Sequence, residues 1–170
     1  MKTLIIIDMQ NDFIDGALAN KDAEAIVPAI ADYAKSFDGN VILTRDTHYG
    51  DYLYTQEGQR LPVKHCLFNT EGWRIHPDIM GATEGKRREF LNKTSFGTLE
   101  WRGVDGVVKA DELIIVGTCT DICVVSNALI LKAMCPSKKV TVLSCLCAGT
   151  TKENHEAALQ TMRMCQCEVL

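Results

Sequence analysis

The stretch Glu112-Leu113-Ile114-Ile115-Val116-Gly117-Thr118-Cys119-Thr120-Asp121-Ile122-Cys123 runs from a short apolar segment through a turn of small residues. It leads on into Asp121 to Met134, which is apolar on almost every side. The first segment is continuously apolar rather than alternating, the pattern of a strand buried on both faces. The second predicts a buried helix. Thr120 or Asp121 can cap that helix, which puts Cys123 in its first turn. There the exposed N–H groups and the helix dipole predict a lowered thiol pKa. The same N–H groups can hold the oxyanion that forms when a thiolate attacks a carbonyl. Read without this setting, Cys123 is one more small buried residue. Cys119 competes for the nucleophile's role but falls in the turn before the helix.

Working outward, five more runs have strand character: Thr3 to Asp8, Asn40 to Asp46, Arg88 to Lys93, Lys139 to Cys145 and Gln166 to Leu170. With Glu112 to Gly117 they make six. Between the runs lie helical patterns at Asp22 to Ser36 and Lys152 to Cys165. The first contains Pro28, which a helix tolerates near its first turn. Strands alternating with helices predict an α/β fold, doubly wound around a mostly parallel six-stranded sheet with helices on both faces. No repeat or linker divides the chain, so residues 1–170 are expected to form one domain. Residues 47–86 break the rhythm, with no long periodic helix; a connection of that length in a compact domain is usually functional.

In open α/β sheets, ligands bind beyond the carboxyl ends of the strands. The first strand ends in Asp8, where an unpaired carboxylate is costly and needs a partner or a proton. Either suits a general base, although a turn Asp is the plainer reading. The third strand ends in Lys93, which can offset that charge and polarise a substrate oxygen. Asp46 and His48 stand two apart on an extended chain, and His65 follows in the long connection. Asp, His and His with open positions suit zinc or another divalent transition metal, although the spacing is not a tight motif. An acid, a metal-type pair, a cation and a thiol therefore project to one rim. His76, before Pro77, reads as a loop residue and His155 as an exposed helix residue.

Composition sets the limits. The chain has 170 residues, 46% hydrophobic and 24% charged, with 12 Gly and 4 Pro, which excludes disordered and fibrous classes. Its net charge is -4 and it has no basic run beyond Lys86-Arg87-Arg88 and Lys138-Lys139, so nucleic acid is not an expected partner. The opening apolar run is too short for a signal segment or a membrane span, which points to a cytoplasmic protein. The eight cysteines then read as reduced thiols, most of them in the core. Cys145-x-Cys147 and Cys165-x-Cys167 lack the usual structural-zinc spacing, and core packing is the expected role.

These segments, in this order, resemble the isochorismatase-like cysteine hydrolases, most closely their nicotinamidase branch. The likeness rests on Ile5-Ile6-Ile7-Asp8-Met9-Gln10-Asn11-Asp12-Phe13, Thr44-Arg45-Asp46-Thr47-His48, Lys64-His65-Cys66, Asn92-Lys93-Thr94-Ser95-Phe96 and Gly117 to Val124. It covers essentially the whole chain. The resemblance implies strand order 3-2-1-4-5-6 and a catalytic triad of Asp8, Lys93 and Cys123. It implies a cis peptide between Thr118 and Cys119, backbone N–H groups of Cys119 and Cys123 facing an oxyanion, and a substrate pocket formed by Phe13 and Thr118. Asp46, His48 and His65 would hold a divalent metal that orients the substrate: zinc, with iron and manganese as alternatives. The reaction implied is ammonia release from a small, nicotinamide-like amide through a thioester.

Nicotinamidases commonly carry an aromatic residue just before the metal His, whereas here that stretch is Arg60-Leu61-Pro62-Val63. Tyr49, Tyr52, Tyr54 and Trp73 are then the candidates for a second ring wall opposite Phe13. A carbamoyl or ureido substrate on the same triad stays open. Isochorismate hydrolysis is disfavoured by the Cys and the Asp-x-His pair, and a catalytically silent binding module by the intact triad. The helix after Cys123 leaves a homo-oligomer open, and burial within one domain explains it equally well.

Overall fold

Each inner strand carries two sets of apolar side chains, one for either face of the sheet. The computed structural model describes residues 1–170. In β1 (Lys2–Ile7), Ile5 and Ile7 point to one face and Leu4 and Ile6 to the other. After β1 come α1 (Asn11–Ile14), α2 (Lys21–Ser36), β2 (Asn40–Asp46), α3 (Gln56–Arg60) and α4 (Pro77–Ala82). Then follow β3 (Arg88–Lys93), α5 (Asp105–Lys109), β4 (Glu112–Thr118), α6 (Val125–Met134), β5 (Lys139–Ala148), α7 (Lys152–Met164) and β6 (Glu168–Val169). All pairings are parallel, in the order β3-β2-β1-β4-β5-β6. In β4, Leu113 and Ile115 join the face covered by α5, α6 and α7, while Ile114 and Val116 join the face covered by α2 and α4. Burial on both faces is why these strands read as unbroken apolar runs. The order reverses between β1 and β4, so the ends of β1, β2, β3 and β4 open onto one crevice.

Several local expectations change. Pro28 lies beyond the first turn of α2, inside the helix. It is exposed, as is Glu24 one turn earlier, so the Glu24 carbonyl that loses its helical partner faces water. The last strand shrinks to Glu168–Val169 because Gln166 takes a left-handed φ of 65° in closing α7. Of the paired cysteines, Cys147 and Cys167 are buried but Cys145 and Cys165 are exposed. β5 bulges between Val142 and Cys147, which breaks the alternation that would have put Cys145 and Cys147 on one face. α6 buries Asn127, Ala128 and Leu131, and leaves Leu129 and Ile130 only half-buried, so it is not covered all round.

Candidate active site

β1 stops at Ile7, and Asp8 turns out of the strand with a left-handed φ of 49°, a conformation Asp tolerates better than most residues. Gly117 flanks it in β4 with φ 121°; a Cβ there would lie 2.1 Å from the Ile7 carbonyl oxygen, so only glycine fits. Thr44 of β2 meets Asp8 twice. Its hydroxyl accepts the Asp8 N–H at 3.0 Å and donates to Asp8 Oδ1 at 2.6 Å. Lys93, the last residue of β3, lays its fully buried ammonium 2.7 Å from Asp8 Oδ2 and 3.4 Å from Cys123 Sγ. The same nitrogen lies 3.3 Å from Asp46 Oδ1 and 3.2 Å from the Ser95 carbonyl oxygen. Burial pushes the Asp8 carboxyl up, against the pull of the Lys93 ammonium. Burial opposes the Lys93 charge too, but Asp8, Cys123 and Asp46 outweigh it and hold the ammonium well above its ordinary range.

Cys123 sits where β4 passes into α6. The turn is π-helical, Thr120–Val124, with the Val124 N–H bonded to the Cys119 carbonyl at 3.0 Å. The peptide between Thr118 and Cys119 is cis. The expected side-chain cap does not form. Thr120 Oγ1 instead pairs with His155 Nδ1 at 2.9 Å, and the Asp121 carboxylate accepts the Thr150 N–H at 2.8 Å. His155 is therefore half-buried against the Thr120–Val124 turn, not a free surface residue, and His76 serves as the N-cap of α4. The expected lowering of the Cys123 thiol pKa is reversed. Burial, and then the Asp8 carboxylate, push it well above the usual thiol range, against Lys93. Burial likewise raises Cys119, to about 11.

Asn127, fully buried in the first turn of α6, ties this turn to the segment after β3. Its amide donates to the Cys123 carbonyl at 2.7 Å and the Phe96 carbonyl at 3.0 Å. Its oxygen accepts from the Thr98 N–H at 3.2 Å and from Trp101 Nε1–H at 3.1 Å. All its polar capacity is used, so the backbone of Phe96 is fixed relative to Cys123.

Beside Lys93, the structure gathers Asp46, His48 and His65 and adds Glu57, which the sequence reading lacked. One donor atom from each lies within 4.8 Å of all the others. Cys66 brings His65 to His48: its carbonyl accepts the His48 N–H at 3.0 Å, and its own N–H donates to Asp12 Oδ2 at 2.7 Å. Gln10 clasps the Asp46 backbone from both sides, at 2.7 and 2.9 Å. Glu57 rides on α3, capped by Thr55 and packed through Gly58 against Tyr52. No spacing to the histidines announces it; its only signal is an acid within the long connection. The donor set fits a divalent metal. His65 Nδ1 donates to the Val63 carbonyl at 2.8 Å, so the neutral ring offers its Nε2 lone pair. Nε2 of His48 is buried 2.9 Å from Asp46 Oδ2, without an aligned hydrogen bond. Burial raises the Asp46 carboxyl, but His48, His65 and Lys93 outweigh it and hold it far below the carboxylate range.

A cavity of about 570 Å³ opens over Cys123, Asp46, Glu57 and His65, walled by Phe13, Leu18, Leu61, Phe96 and Ile122. Cys119 lines it, whereas Thr118 is fully buried with its hydroxyl donating to the Ala148 carbonyl at 3.2 Å. Phe96 faces the cavity from a place proposed for the loop aromatics. Tyr52 is buried behind the histidines, its ring 4.6 Å from His48 and 5.1 Å from His65. Trp73 is buried and donates to Thr47, while Tyr49 and Tyr54 face solvent.

The isochorismatase domain model matches residues 2–170. The nicotinamidase/pyrazinamidase of Mycobacterium tuberculosis is 34% identical over 188 residues, spanning 100% of this chain and 98% of that protein. Among solved structures, the pyrazinamidase/nicotinamidase of Streptococcus mutans shares the fold with a TM-score of 0.84, at 23% identity over 100% of both chains. The pyrazinamidase of Pyrococcus horikoshii, solved in complex with zinc, does so at 0.82, with 24% identity over 99% of this chain and 98% of that one. With the family model matching nearly its whole length and a relative 34% identical across all of it, the chain belongs to the isochorismatase family.

Proposed function

We propose that the protein is a cysteine amidohydrolase that releases ammonia from a small aromatic amide of the nicotinamide type. Cys123 is the nucleophile, Asp8 the general base and acid, and Lys93 the cation that balances them. The observation that carries this is Lys93 Nζ, 2.7 Å from Asp8 Oδ2 and 3.4 Å from Cys123 Sγ, beneath a cavity with apolar walls. A thiol that holds its proton tightly needs a base beside it, and a carboxyl raised by burial is a stronger base than an exposed one.

The Cys123 proton passes to Asp8, and the thiolate attacks the amide carbonyl carbon. The carbonyl π electrons move to oxygen, where the backbone N–H groups of Cys119 and Cys123 receive the charge. As the carbonyl re-forms, the C–N bond breaks and nitrogen leaves as ammonia with the proton from Asp8, leaving a thioester. Asp8 then takes a proton from water, and the hydroxide attacks the thioester carbon. The C–S bond breaks, and the proton returns from Asp8 to Cys123 as the acid product departs.

Asp46, His48, Glu57 and His65 would hold a divalent ion; zinc leads and iron or manganese also suit the donors. When bound, such an ion supplies Lewis acidity that orients a lone pair of the substrate. Phe13 and Phe96 are flat walls for a ring, in keeping with the name of the Mycobacterium tuberculosis relative. All eight cysteines are free, which suits a cytoplasmic setting, and no helix is long and apolar enough to cross a membrane.

The test is ammonia release from nicotinamide by purified, zinc-supplemented protein, with Cys123→Ala in parallel. The expected result is turnover that falls at least about 10³-fold in the variant. No ammonia from the folded parent protein would retire nicotinamide, and carbamoyl and ureido compounds would be assayed next on the same residues.

A further inference from the structure

β1 and β2 run in parallel register up to Ile6 opposite Leu43, and the ladder ends there. The next contact is made by a side chain. Asp8 has turned left-handed, and its N–H goes to Thr44 Oγ1 at 3.0 Å, in place of a backbone carbonyl. A hydroxyl has one proton, and Thr44 directs it to Asp8 Oδ1 at 2.6 Å. Both residues are fully buried, so no water competes for either bond. The two oxygens of Asp8 are thereby unlike. Thr44 is the one hydrogen-bond donor to Oδ1. Oδ2 faces the Lys93 ammonium instead, at 2.7 Å.

We infer that Thr44 is a positioning residue that assigns the two oxygens of Asp8 separate duties, engaging Oδ1 and leaving Oδ2 to exchange the proton with Cys123. The inference rests on the amidohydrolase reading above and adds the residue that decides which carboxylate oxygen acts. A carboxylate anchored at one oxygen cannot spin about its Cβ–Cγ bond, so the acting oxygen stays beside the ammonium throughout the cycle. The charged and titratable groups that face Asp8 are Lys93 from β3, Asp46 from β2, Cys123 and Cys119 from the turn after β4, and Cys66 from the long connection. None of them touches Oδ1 as Thr44 does.

The experiment compares the pH dependence of ammonia release for the parent protein, Thr44→Val and Thr44→Ser. Val keeps the shape and removes the hydroxyl; Ser keeps the hydroxyl and removes the methyl. A donor to the charged form of a carboxyl lowers its pKa. Loss of that donor should move the acid limb of kcat upward by about one pH unit and lower kcat about tenfold near that limb. KM should change much less, and Thr44→Ser should restore the limb. A loss of kcat in Thr44→Val with the limb unmoved, or a limb that Ser does not restore, overturns the inference and leaves Thr44 a packing residue. Thr44→Ala takes the place of Val if that variant does not fold. If the parent protein releases no ammonia, the functional reading fails separately. Thr44 is then judged by carbon NMR of Asp-labelled protein, with the Asp8 carboxyl assigned through Asp8→Asn. Its titration should move upward in Thr44→Val and return in Thr44→Ser, and an unmoved titration would overturn the inference.

Discussion

Asp8, Lys93 and Cys123 stand on strand ends and on the turn after β4, whereas His48, Glu57 and His65 stand on the connection between β2 and β3. The first group is placed by the register of the sheet. Its members meet because β1, β2, β3 and β4 are hydrogen-bonded neighbours with aligned ends. The second group is placed by side-chain braces: Asp12 under Cys66, Tyr52 behind the two imidazoles, and Gln10 across the Asp46 backbone. Asp46 belongs to both, with Oδ1 toward Lys93 and Oδ2 toward His48. One region is therefore inseparable from folding, and the other can be loosened with the fold left standing.

Lys93→Met is the harshest way to break this contrast. It leaves the buried Asp8 and Asp46 carboxylates without their ammonium, and should cost about 3–5 kcal/mol, because removing one partner strands the other charge. Thermal melting should show it, as a fall of roughly 2–4 °C per kcal/mol for a domain of this size. A melting temperature near that of the parent would mean that the sheet tolerates the stranded carboxylates. Asp12→Ala probes the other region. It frees the Cys66 N–H and should weaken zinc binding about 10–100-fold by equilibrium dialysis, the usual range for a group that orients a ligand. Ellipticity should be retained. If zinc affinity is unchanged, the loop is held by its remaining contacts. The mildest probe is iodoacetamide, followed by mass spectrometry. A thiol pKa raised above its ordinary range means little thiolate at neutral pH, so Cys123 should be alkylated after the exposed Cys145 and Cys165, with a rate that climbs as pH rises. Fast neutral labelling of Cys123 would show that Lys93 outweighs burial.

The same contrast governs what was legible beforehand. Continuous apolar runs such as Leu4 to Ile7 and Leu113 to Val116 mark strands buried on both faces, so the sheet and the residues at its rim could be read. The strand-end residues followed directly. Glu57 could not be read, since its place depends on Thr55 capping a short helix and on Gly58 packing against Tyr52, contacts without a sequence period. Tyr52 has the composition of a pocket wall, yet it packs behind the imidazoles and donates to the Leu61 carbonyl. Pro28 misled for a local reason, because its missing hydrogen bond falls on the exposed side of α2. The Cys123 thiol misled for a global one. A helix start predicts a lowered pKa, and nothing in a linear spacing reports the depth of burial that outweighs it.

The hold that Asn127 keeps on both Cys123 and Phe96 bears on how such a protein can diversify. Asn127 grips main-chain carbonyls, and Lys93 grips another at Ser95, so the wall segment is anchored independently of the ring it displays. The side chain at 96 is then an interchangeable panel on a fixed frame. Single codon changes can exchange it and reshape the cavity wall while the backbone at Cys123 keeps its address.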